Sequence, residues 1–409
     1  MNSVDRFKAR FALAVKGAFN LWLRLMRNLL FLRRRAPQNL ECIVVHLIGN
    51  VGDIVVAIPA LVALRERYPE SRLILFTSAG ERERNLVGAR ELLDGASFLD
   101  GIEVYATEEI RSARGTFALL RRWRRLQPQL FVSLPPCNIS PLSVVRNLLF
   151  ARLTGASFGV GFEVVTLFLF SYEQALYKGL YPTEIARNLG HLKELGISSP
   201  SVSFEFGPPE ATELRRIEKI ARRSRPFVAV CPGGKQVGHR WPLERFIALA
   251  KYLKHERGLN LVAVGARFER ELCDELLDAV GGGVNLAGEL SLRGTTELLS
   301  CALFLLTNDT GPMHLAAARA TRVVAIYGSK DLAGRWHPAG EGHELFRARI
   351  ACRQCLFADE ESDHCVRQIE VEEVLEGCRR LLERLNYTNH NPAPARLLAD
   401  EELHKQFIH

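Results

Sequence analysis

The amino-acid sequence predicts an α/β protein with two similar domains, each an open parallel sheet covered by helices. Short apolar runs of strand length alternate with stretches of helix length, which is the pattern of parallel strands joined by right-handed crossovers. A proline-containing, charged region at residues 200–226 interrupts the series, which then starts again. The length of 409 residues also suits two domains of ordinary size.

Composition and charge narrow the functional classes. An apolar content of 47% and a charged content of 24% are those of a folded protein with a large core. Nine cysteines without a secretory signal favour a reduced, cytosolic setting. The net charge of +8 falls within residues 1–40, which hold nine basic residues and one acidic residue. Because the rest of the chain is neutral, we expect no nucleic-acid partner.

Residues 1–40 form the first predicted element, a basic amphipathic arm. Residues 18–32 include two arginines and are too short to span a bilayer. We expect a helix lying on an anionic membrane surface, with a helix packed on the protein body or a partner-binding helix as alternatives. Apolar residues recur in it at steps of three and four, at Phe7, Phe11, Ala14, Ala18, Trp22, Leu25, Leu29 and Leu32.

Residues 41–205 contain the first α/β series. The first predicted strand ends in the turn Gly-Asn-Val-Gly-Asp at residues 49–53. Gly49 and Gly52 permit the backbone to approach a ligand closely, whereas Asp53 can cap the following helix or act as a general base. Strands are predicted at residues 42–49, 72–78, 101–105 and 128–136.

Residues 206–370 contain the second series, which opens with a glycine-rich loop at residues 231–240. That loop places Lys235, His239 and Arg240 beside glycines, a combination that suits a diphosphate, although a solvated loop is the alternative. Strands are predicted at residues 227–234, 259–265, 284–288, 301–307 and 321–328.

The turn Asn-Asp-Thr-Gly-Pro at residues 308–312 joins one of these strands to an alanine-rich helix. Open α/β sheets bind ligands at the carboxyl ends of strands, and the first helix amides are unpaired and partly positive. Asp309 or Thr310 can cap the helix, and Gly311 leaves room for an anion. We expect a phosphate-binding turn, with helix capping alone as the alternative.

The last part of the chain holds an amphipathic helix at residues 371–386 and a polar tail at residues 387–409. A cysteine-rich stretch before the helix raises the question of a zinc site. Two of its candidate ligands are adjacent, and a second Cys-x-x-Cys pair is absent from the sequence, so a metal site is not favoured. The candidate ligands are Cys352, Cys355, His364 and Cys365.

Three stretches taken in order resemble the ADP-heptose:lipopolysaccharide heptosyltransferases, glycosyltransferase family 9. They are GNVGDIVVAIPALVALRERYP at residues 49–69, PGGKQVGHRWPLERFIALA at residues 232–250 and TNDTGPMHLAAA at residues 307–318. RNLGHLKELGI at residues 187–197 and YGSKDLAGRWHP at residues 327–338 reinforce the likeness, which covers roughly residues 41–385.

The resemblance implies a GT-B fold, in which two Rossmann-like domains face an interdomain cleft and the last helix crosses back towards the first domain. It implies inverting transfer of heptose from ADP-heptose to a lipopolysaccharide core, or a related lipid-linked glycan, without an essential metal. The expected location is the cytoplasmic side of the inner membrane. The alternatives are a GT-B enzyme with another nucleotide sugar and a catalytically silent nucleotide-sugar-binding protein.

The same resemblance assigns roles to site residues. Asp53 is similar to the base that activates the acceptor. Many members have a lysine where this chain has His239, so Lys235 or Arg240 is expected to neutralise the diphosphate. On the donor side, the resemblance assigns the pyrophosphate to Thr310 and Gly311, the sugar to Asp309, the ribose to Glu269 and a lining role to His314.

Overall fold

A computed structural model describes residues 3–31, 38–79, 88–106, 108–137, 139–164, 181–198, 200–329, 332–348 and 364–387. The chain divides into two compact units, Met1–Gly207 with Leu332–Arg335, and Pro208–Asp331 with Trp336–His409. Each unit is built on its own parallel sheet, which confirms the predicted α/β class.

The sheet of the first unit has five parallel strands among the described residues. Their order is β3-β2-β1-β4-β5. The direction of winding reverses between β1 and β4, so the loops after these two strands flank a topological switch point. The strands are β1 (Cys42–Leu47), β2 (Arg72–Ser78), β3 (Gly101–Tyr105), β4 (Leu130–Leu134) and β5 (Phe158–Val160).

The helices of the first unit lie before, between and after these strands. Helices α1, α5 and α6 contribute to one hydrophobic core on a single face of the sheet, through Leu23, Trp123 and Leu148 among others. The helices are α1 (Ser3–Leu30), α2 (Val51–Val55), α3 (Ile58–Arg67), α4 (Ala89–Leu93), α5 (Ala113–Arg124), α6 (Pro141–Leu153) and α7 (Glu184–Gly190).

The C-terminal half of α1 packs on the body of the first unit. Leu23 and Phe31 are buried, and the Asn20 side chain makes hydrogen bonds of 3.0 and 2.8 Å with the backbone of Val164. The face that packs is a second apolar face, because the predicted stripe at Phe7, Phe11, Ala14, Ala18, Trp22, Leu25 and Leu29 is exposed. Leu32, the last predicted member of the stripe, lies outside the described residues.

The sheet of the second unit has six parallel strands among the described residues. Their order is β11-β10-β9-β6-β7-β8, and winding reverses between β6 and β9. The strands are β6 (Phe227–Cys231), β7 (Asn260–Ala263), β8 (Val284–Asn285), β9 (Phe304–Asn308), β10 (Arg322–Tyr327) and β11 (Glu344–Arg347).

The late amphipathic helix packs in this second unit. Val374 and Cys378 on its buried face join the core that includes Val324 and Phe346 of the sheet. The helix that was expected to cross back to the first domain therefore completes the core of the second one. The helices of this unit are α8 (Ala211–Ser224), α9 (Leu243–Lys251), α10 (Arg270–Ala279), α11 (Leu292–Ser300), α12 (Gly311–Ala318) and α13 (Val371–Arg384).

Cys352 and Cys355, two ligands of the considered zinc site, lie outside the described residues, as does the polar tail beyond Tyr387. Within the described ranges, no group of three or more potential ligands is arranged to hold a metal ion. In that same part of the chain, no helix combines the length and the hydropathy needed to cross a membrane.

Candidate functional site

Asp53 caps the helix that follows the first strand. Its Oδ2 accepts a hydrogen bond of 2.8 Å from the backbone N–H of Asn50, one of the donors that a helix start leaves unpaired. The preceding Gly49 leaves room for this side chain, because a Cβ atom at position 49 would lie 2.3 Å from the Asp53 Cβ. Gly52 lies in the first turn of the same helix. The capping alternative for Asp53 therefore holds, and it places the carboxylate at the switch point.

A small cavity surrounds Asp53 at the carboxyl ends of β1 and β4. Pro135, Glu184 and Asn188 are among the residues that line it. The pKa of Asp53 is raised to about 6, mainly by burial; the Asn50 N–H and the positive charge of Arg187 limit the rise, whereas the negative charge of Glu184 adds to it. A carboxylate with that pKa is ionised at neutral pH yet basic enough to take a proton from a bound hydroxyl.

A buried ion network, which was not predicted from the sequence, forms one wall of this cavity. Glu184 is 1% exposed and lies 2.6 Å from Arg187 and 3.1 Å from Arg335. Arg187 also donates a 2.7 Å hydrogen bond to the Pro135 carbonyl at the end of β4. The network therefore fixes the rim of the cavity. Its sequence signals were the family-like stretches at residues 187–197 and 327–338, which contain Arg187 and Arg335.

Asn188 is a second residue that sequence reasoning missed. Its Nδ2 donates a 3.2 Å hydrogen bond to the Val56 carbonyl, while its buried Oδ1 has no hydrogen-bond partner among the described residues. A buried polar atom without a partner is costly, and a role at a catalytic site is one explanation for keeping it. The Asn188 carbonyl oxygen is thus suited to accept a hydrogen bond from a hydroxyl group beside Asp53.

In the second unit, Asn308 joins two loops at the switch point between β6 and β9. Its Nδ2 donates to the carbonyls of Pro232 and Gly233 at 2.8 and 2.9 Å. Its Oδ1 accepts a 2.9 Å hydrogen bond from the Trp241 N–H. One buried side chain thus holds both ends of the glycine-rich loop against the end of β9.

Glu269 connects the loop after β7 with the glycine-rich loop after β6. Its Oε2 accepts a 2.7 Å hydrogen bond from the Ala266 N–H. Cβ atoms at Gly233 and Gly265 would come within 2.1 and 2.8 Å of its carboxylate oxygens. Only glycine therefore allows the loops after β6 and β7 to close around this carboxylate.

The cations of the glycine-rich loop differ in what they contact. Arg240 Nε and Nη2 both donate to the Gly234 carbonyl, at 2.8 and 2.6 Å, and so brace the loop. Lys235 is exposed, and His239 is half-buried in a short helical turn. Arg240 therefore has a structural role in the loop in addition to its charge.

The turn after β9 lies beside that loop. A Cβ atom at Gly234 would lie 3.3 Å from the methyl group of Thr310. Thr310 is the N-cap of α12 by position, but its side chain makes no capping hydrogen bond, and its Oγ1 lies 3.1 Å from Thr307 Oγ1. The amide end of α12, which begins at Gly311, therefore faces the site uncapped by this hydroxyl.

Asp309 and His314 complete the predicted donor set. The Asp309 N–H donates a 3.0 Å hydrogen bond to Ile326, and its side chain is partly exposed. His314 is buried, with its ring centroid 5.8 Å from that of Trp336. Burial lowers the pKa of His314 to about 4, so it adds no positive charge at neutral pH.

The second unit therefore gathers loops from three neighbouring strands. They supply backbone amides at a helix start, a lysine and an arginine, and two carboxylates. Such a set can hold a diphosphate through amides and cations and a ribose or sugar hydroxyl through carboxylates. The first unit separately contains the Asp53 carboxylate, whose raised pKa suits it to accept a proton.

Comparison with known families and proteins gives a consistent result. The family model described as glycosyltransferase family 9 (heptosyltransferase) matches residues 146–365. Lipopolysaccharide heptosyltransferase 2 of Salmonella typhimurium is 36% identical over 110 residues, which are 25% of this chain and 31% of that protein. The matched part thus spans less than a third of that relative. The lipopolysaccharide core heptosyltransferase OpsX of Haemophilus influenzae is 20% identical over 71% of this chain and 79% of its own length.

Solved structures share the fold. A glycosyl transferase family 9 protein from Veillonella parvula superposes with a TM-score of 0.68 at 18% identity, covering 86% of this chain and all of that one. The ADP-heptose lps heptosyltransferase II of E. coli gives a TM-score of 0.56 at 22% identity, covering 84% of this chain and 99% of that one. The two-sheet architecture described above is therefore that of the GT-B heptosyltransferases.

Proposed function

The chain belongs to glycosyltransferase family 9, and from this we propose that it transfers heptose from ADP-heptose to a lipopolysaccharide core or a related lipid-linked glycan. The observation that carries the proposal is the convergence of the glycine-rich loop, Glu269 and the Thr310–Gly311 turn at one switch point. Relatives named as lipopolysaccharide heptosyltransferases support heptose as the transferred sugar and lipopolysaccharide as the acceptor.

On the donor side, the start of α12 holds the diphosphate. The amides around Gly311 donate to phosphate oxygens, and Lys235 and Arg240 supply positive charge that stabilises the leaving ADP. Glu269 accepts from the ribose hydroxyls, and Asp309 accepts from the sugar. His314 lines the site as a neutral side chain because burial lowers its pKa to about 4.

On the acceptor side, Asp53 is the general base. As the acceptor oxygen attacks the anomeric carbon, its proton passes to the Asp53 carboxylate and the bond from that carbon to the diphosphate breaks. Attack opposite the leaving group inverts the anomeric centre. Asn188 Oδ1 accepts from a second hydroxyl of the acceptor and so orients the attacking one.

The same enzyme works at a membrane surface on the cytoplasmic side of the inner membrane, since its acceptor is carried on a lipid. The exposed apolar stripe of α1 supports an interaction of residues 1–40 with anionic lipid. A helix that packed through this stripe would have buried it, whereas Phe7 and Leu29 are 72% and 80% exposed.

A turnover assay tests the proposal. The wild-type protein is given ADP-heptose or UDP-sugars with a delipidated core oligosaccharide, and released nucleotide is measured. ADP release with ADP-heptose is expected. Asp53→Asn should lower the rate by at least ~10²-fold, the usual effect of losing a general base, without changing donor affinity. Asp278→Asn, an equivalent change at an exposed position of α10, should leave the rate unchanged.

The remaining outcomes separate the alternatives. Turnover with a UDP-sugar but not with ADP-heptose would show that the donor is a UDP-sugar. That result would agree with the presence of His239 where many family members have a lysine. Binding of ADP-heptose without turnover on any acceptor would make the chain a silent binding protein. Full activity of Asp53→Asn would remove Asp53 from the role of base.

A further inference from the structure

The outward faces of α1, α5 and α6 point to the same side of the first unit. Their buried residues, among them Leu23, Leu119 and Val144, share one core with Cys42 and Val44 of β1. Alternate residues of a strand lie on one face of a sheet, so all three helices cover that face. Their opposite faces therefore form the outer surface of a single helical layer.

Helix α6 has an apolar outer face. Its exposed residues are Leu142, Arg146, Leu149 and Leu153, which follow one another at steps of four, three and four and thus lie on one side. Leu142 is 83% exposed. A helix on the surface of a soluble protein normally carries polar residues there. Three leucines around one arginine therefore mark a face that is suited to burial.

Helix α1 lies against α6 and also has an exposed apolar face. Leu23 packs inward, supported by Phe19 and Met26, whereas Phe11, Trp22 and Leu25 stay exposed on another side of the helix. The helix therefore has two apolar faces, and the fold uses one. Trp22 is the kind of side chain that membrane interfaces favour, since its ring is apolar and its N–H is polar.

Helix α5, which also contacts α6, carries the positive charge. Arg114, Phe117, Arg121 and Arg124 are exposed along one side of it. The three helices contain six, four and two basic residues in α1, α5 and α6, against one acidic residue, Asp5. Carboxylates of neighbouring segments lie beside Arg27 and Arg122, so the excess positive charge lies on the other basic residues. An apolar layer flanked by an excess of cations complements an anionic lipid surface.

We propose that the outer faces of α1, α5 and α6, the three-helix surface, form a docking surface for an anionic bilayer. The leucines of α6 and the aromatic residues of α1 enter the acyl boundary, while the α5 arginines contact lipid phosphates. The inference rests on the proposed function and extends its membrane contact from residues 1–40 to two helices of the folded body. The body helices then set the orientation of the first unit on the membrane.

Flotation of the full-length protein with vesicles tests the surface. Vesicles of phosphatidylethanolamine and phosphatidylglycerol should bind it, and pure phosphatidylcholine vesicles should bind it at least tenfold more weakly. An α6 variant with Leu142→Gln, Leu149→Gln and Leu153→Gln should lose at least tenfold in binding to the anionic vesicles. An α5 variant with Arg114→Gln, Arg121→Gln and Arg124→Gln should lose binding and also respond less to added salt.

The control removes the same charge elsewhere. Arg215→Gln, Lys219→Gln and Arg222→Gln change exposed positions of α8 in the second unit and should leave vesicle binding unchanged. All substituted side chains are exposed, so circular dichroism and melting temperature should match those of the wild type. Equal loss in the control and the α5 variant would show a diffuse charge effect and overturn the proposal.

Two other results would also overturn it. Unchanged vesicle binding of the α6 variant would remove the body helices from the interface. A wild-type dimer that the α6 substitutions convert to a monomer, without an effect on vesicle binding, would assign the surface to a second copy of this chain. Turnover of a soluble acceptor should be equal in all variants, so failure of the proposed transferase activity is measured separately from failure of docking.

Discussion

The Glu269 carboxylate lies directly against the backbone of Gly233, where a Cβ atom would come within 2.1 Å of Glu269 Oε1. Gly233→Ala must therefore displace the carboxylate or the loop. If Glu269 holds the ribose of the donor, we expect affinity for ADP to fall by about tenfold, which corresponds to ~1.4 kcal/mol. Isothermal titration calorimetry with ADP measures this change.

Gly17→Ala is the matched control, because no heavy atom beyond the adjoining helix backbone lies within 4 Å of the added methyl group. It should leave ADP affinity unchanged. Affinity of Gly233→Ala within twofold of the wild type would place the nucleotide away from Glu269.

Features that depend on the local residue pattern could be predicted from the amino-acid sequence. Buried strands such as β1 and β10 read as continuous apolar runs because parallel strands are covered on both faces. The turns at Asp53 and Thr310 were found because they combine polar residues and glycine between a strand and a helix. The family match over residues 146–365, which include the Thr310 turn, confirms the resemblance.

Short and polar strands were missed. β5 (Phe158–Val160) has three residues, and β11 (Glu344–Arg347) carries charges at both ends. Neither strand has enough residues to show an alternation of apolar and polar side chains. Their strand conformation comes from pairing with β4 and β10, which no local pattern reveals.

Contacts between distant residues could not be predicted either. Arg335 binds Glu184 from 151 positions away, and Asn308 reaches Pro232 from 76 positions away. The two faces of α1 were also ambiguous, because a helix with apolar residues on two sides does not indicate which side meets the body. Folding onto Val164 and the sheet decided that question.

The buried ion network at Glu184 makes a stability prediction. Glu184→Gln leaves the guanidinium groups of Arg187 and Arg335 without their shared carboxylate in a buried setting. Removing one partner of a buried pair typically costs about 3–5 kcal/mol. Urea denaturation of the two proteins should show a loss of that order in the free energy of unfolding.

An exposed ion pair provides the comparison. Glu194 lies 2.6 Å from Arg27, and its side chain is 47% exposed. Glu194→Gln should cost less than ~1 kcal/mol, as surface pairs do. Similar losses in the two variants would mean that the Glu184 network is screened by water and does not fix the cavity wall.

The raised pKa of Asp53 predicts how stability and activity depend on pH. Burial lifts the pKa from 3.8 to about 6 in the folded protein, so the folded state binds this proton more tightly than the unfolded state does. Protonation of Asp53 therefore stabilises the fold as pH falls through about 6. The free energy of unfolding of the wild type minus that of Asp53→Asn should be larger at pH ~5 than at pH ~8. A difference independent of pH would show that this pKa is not raised.

Activity should respond in the opposite direction, because a general base must be ionised. As pH falls below about 6, kcat/KM of the wild type should decline towards a slope of one decade per pH unit, and it should be level above pH ~7. The weak residual activity of Asp53→Asn should lack this decline. An inflection that persists near pH ~6 in Asp53→Asn would assign it to another group on the enzyme or the substrate. Opposite responses of stability and activity in the wild type, both lost in Asp53→Asn, would identify the same carboxylate as helix cap and base.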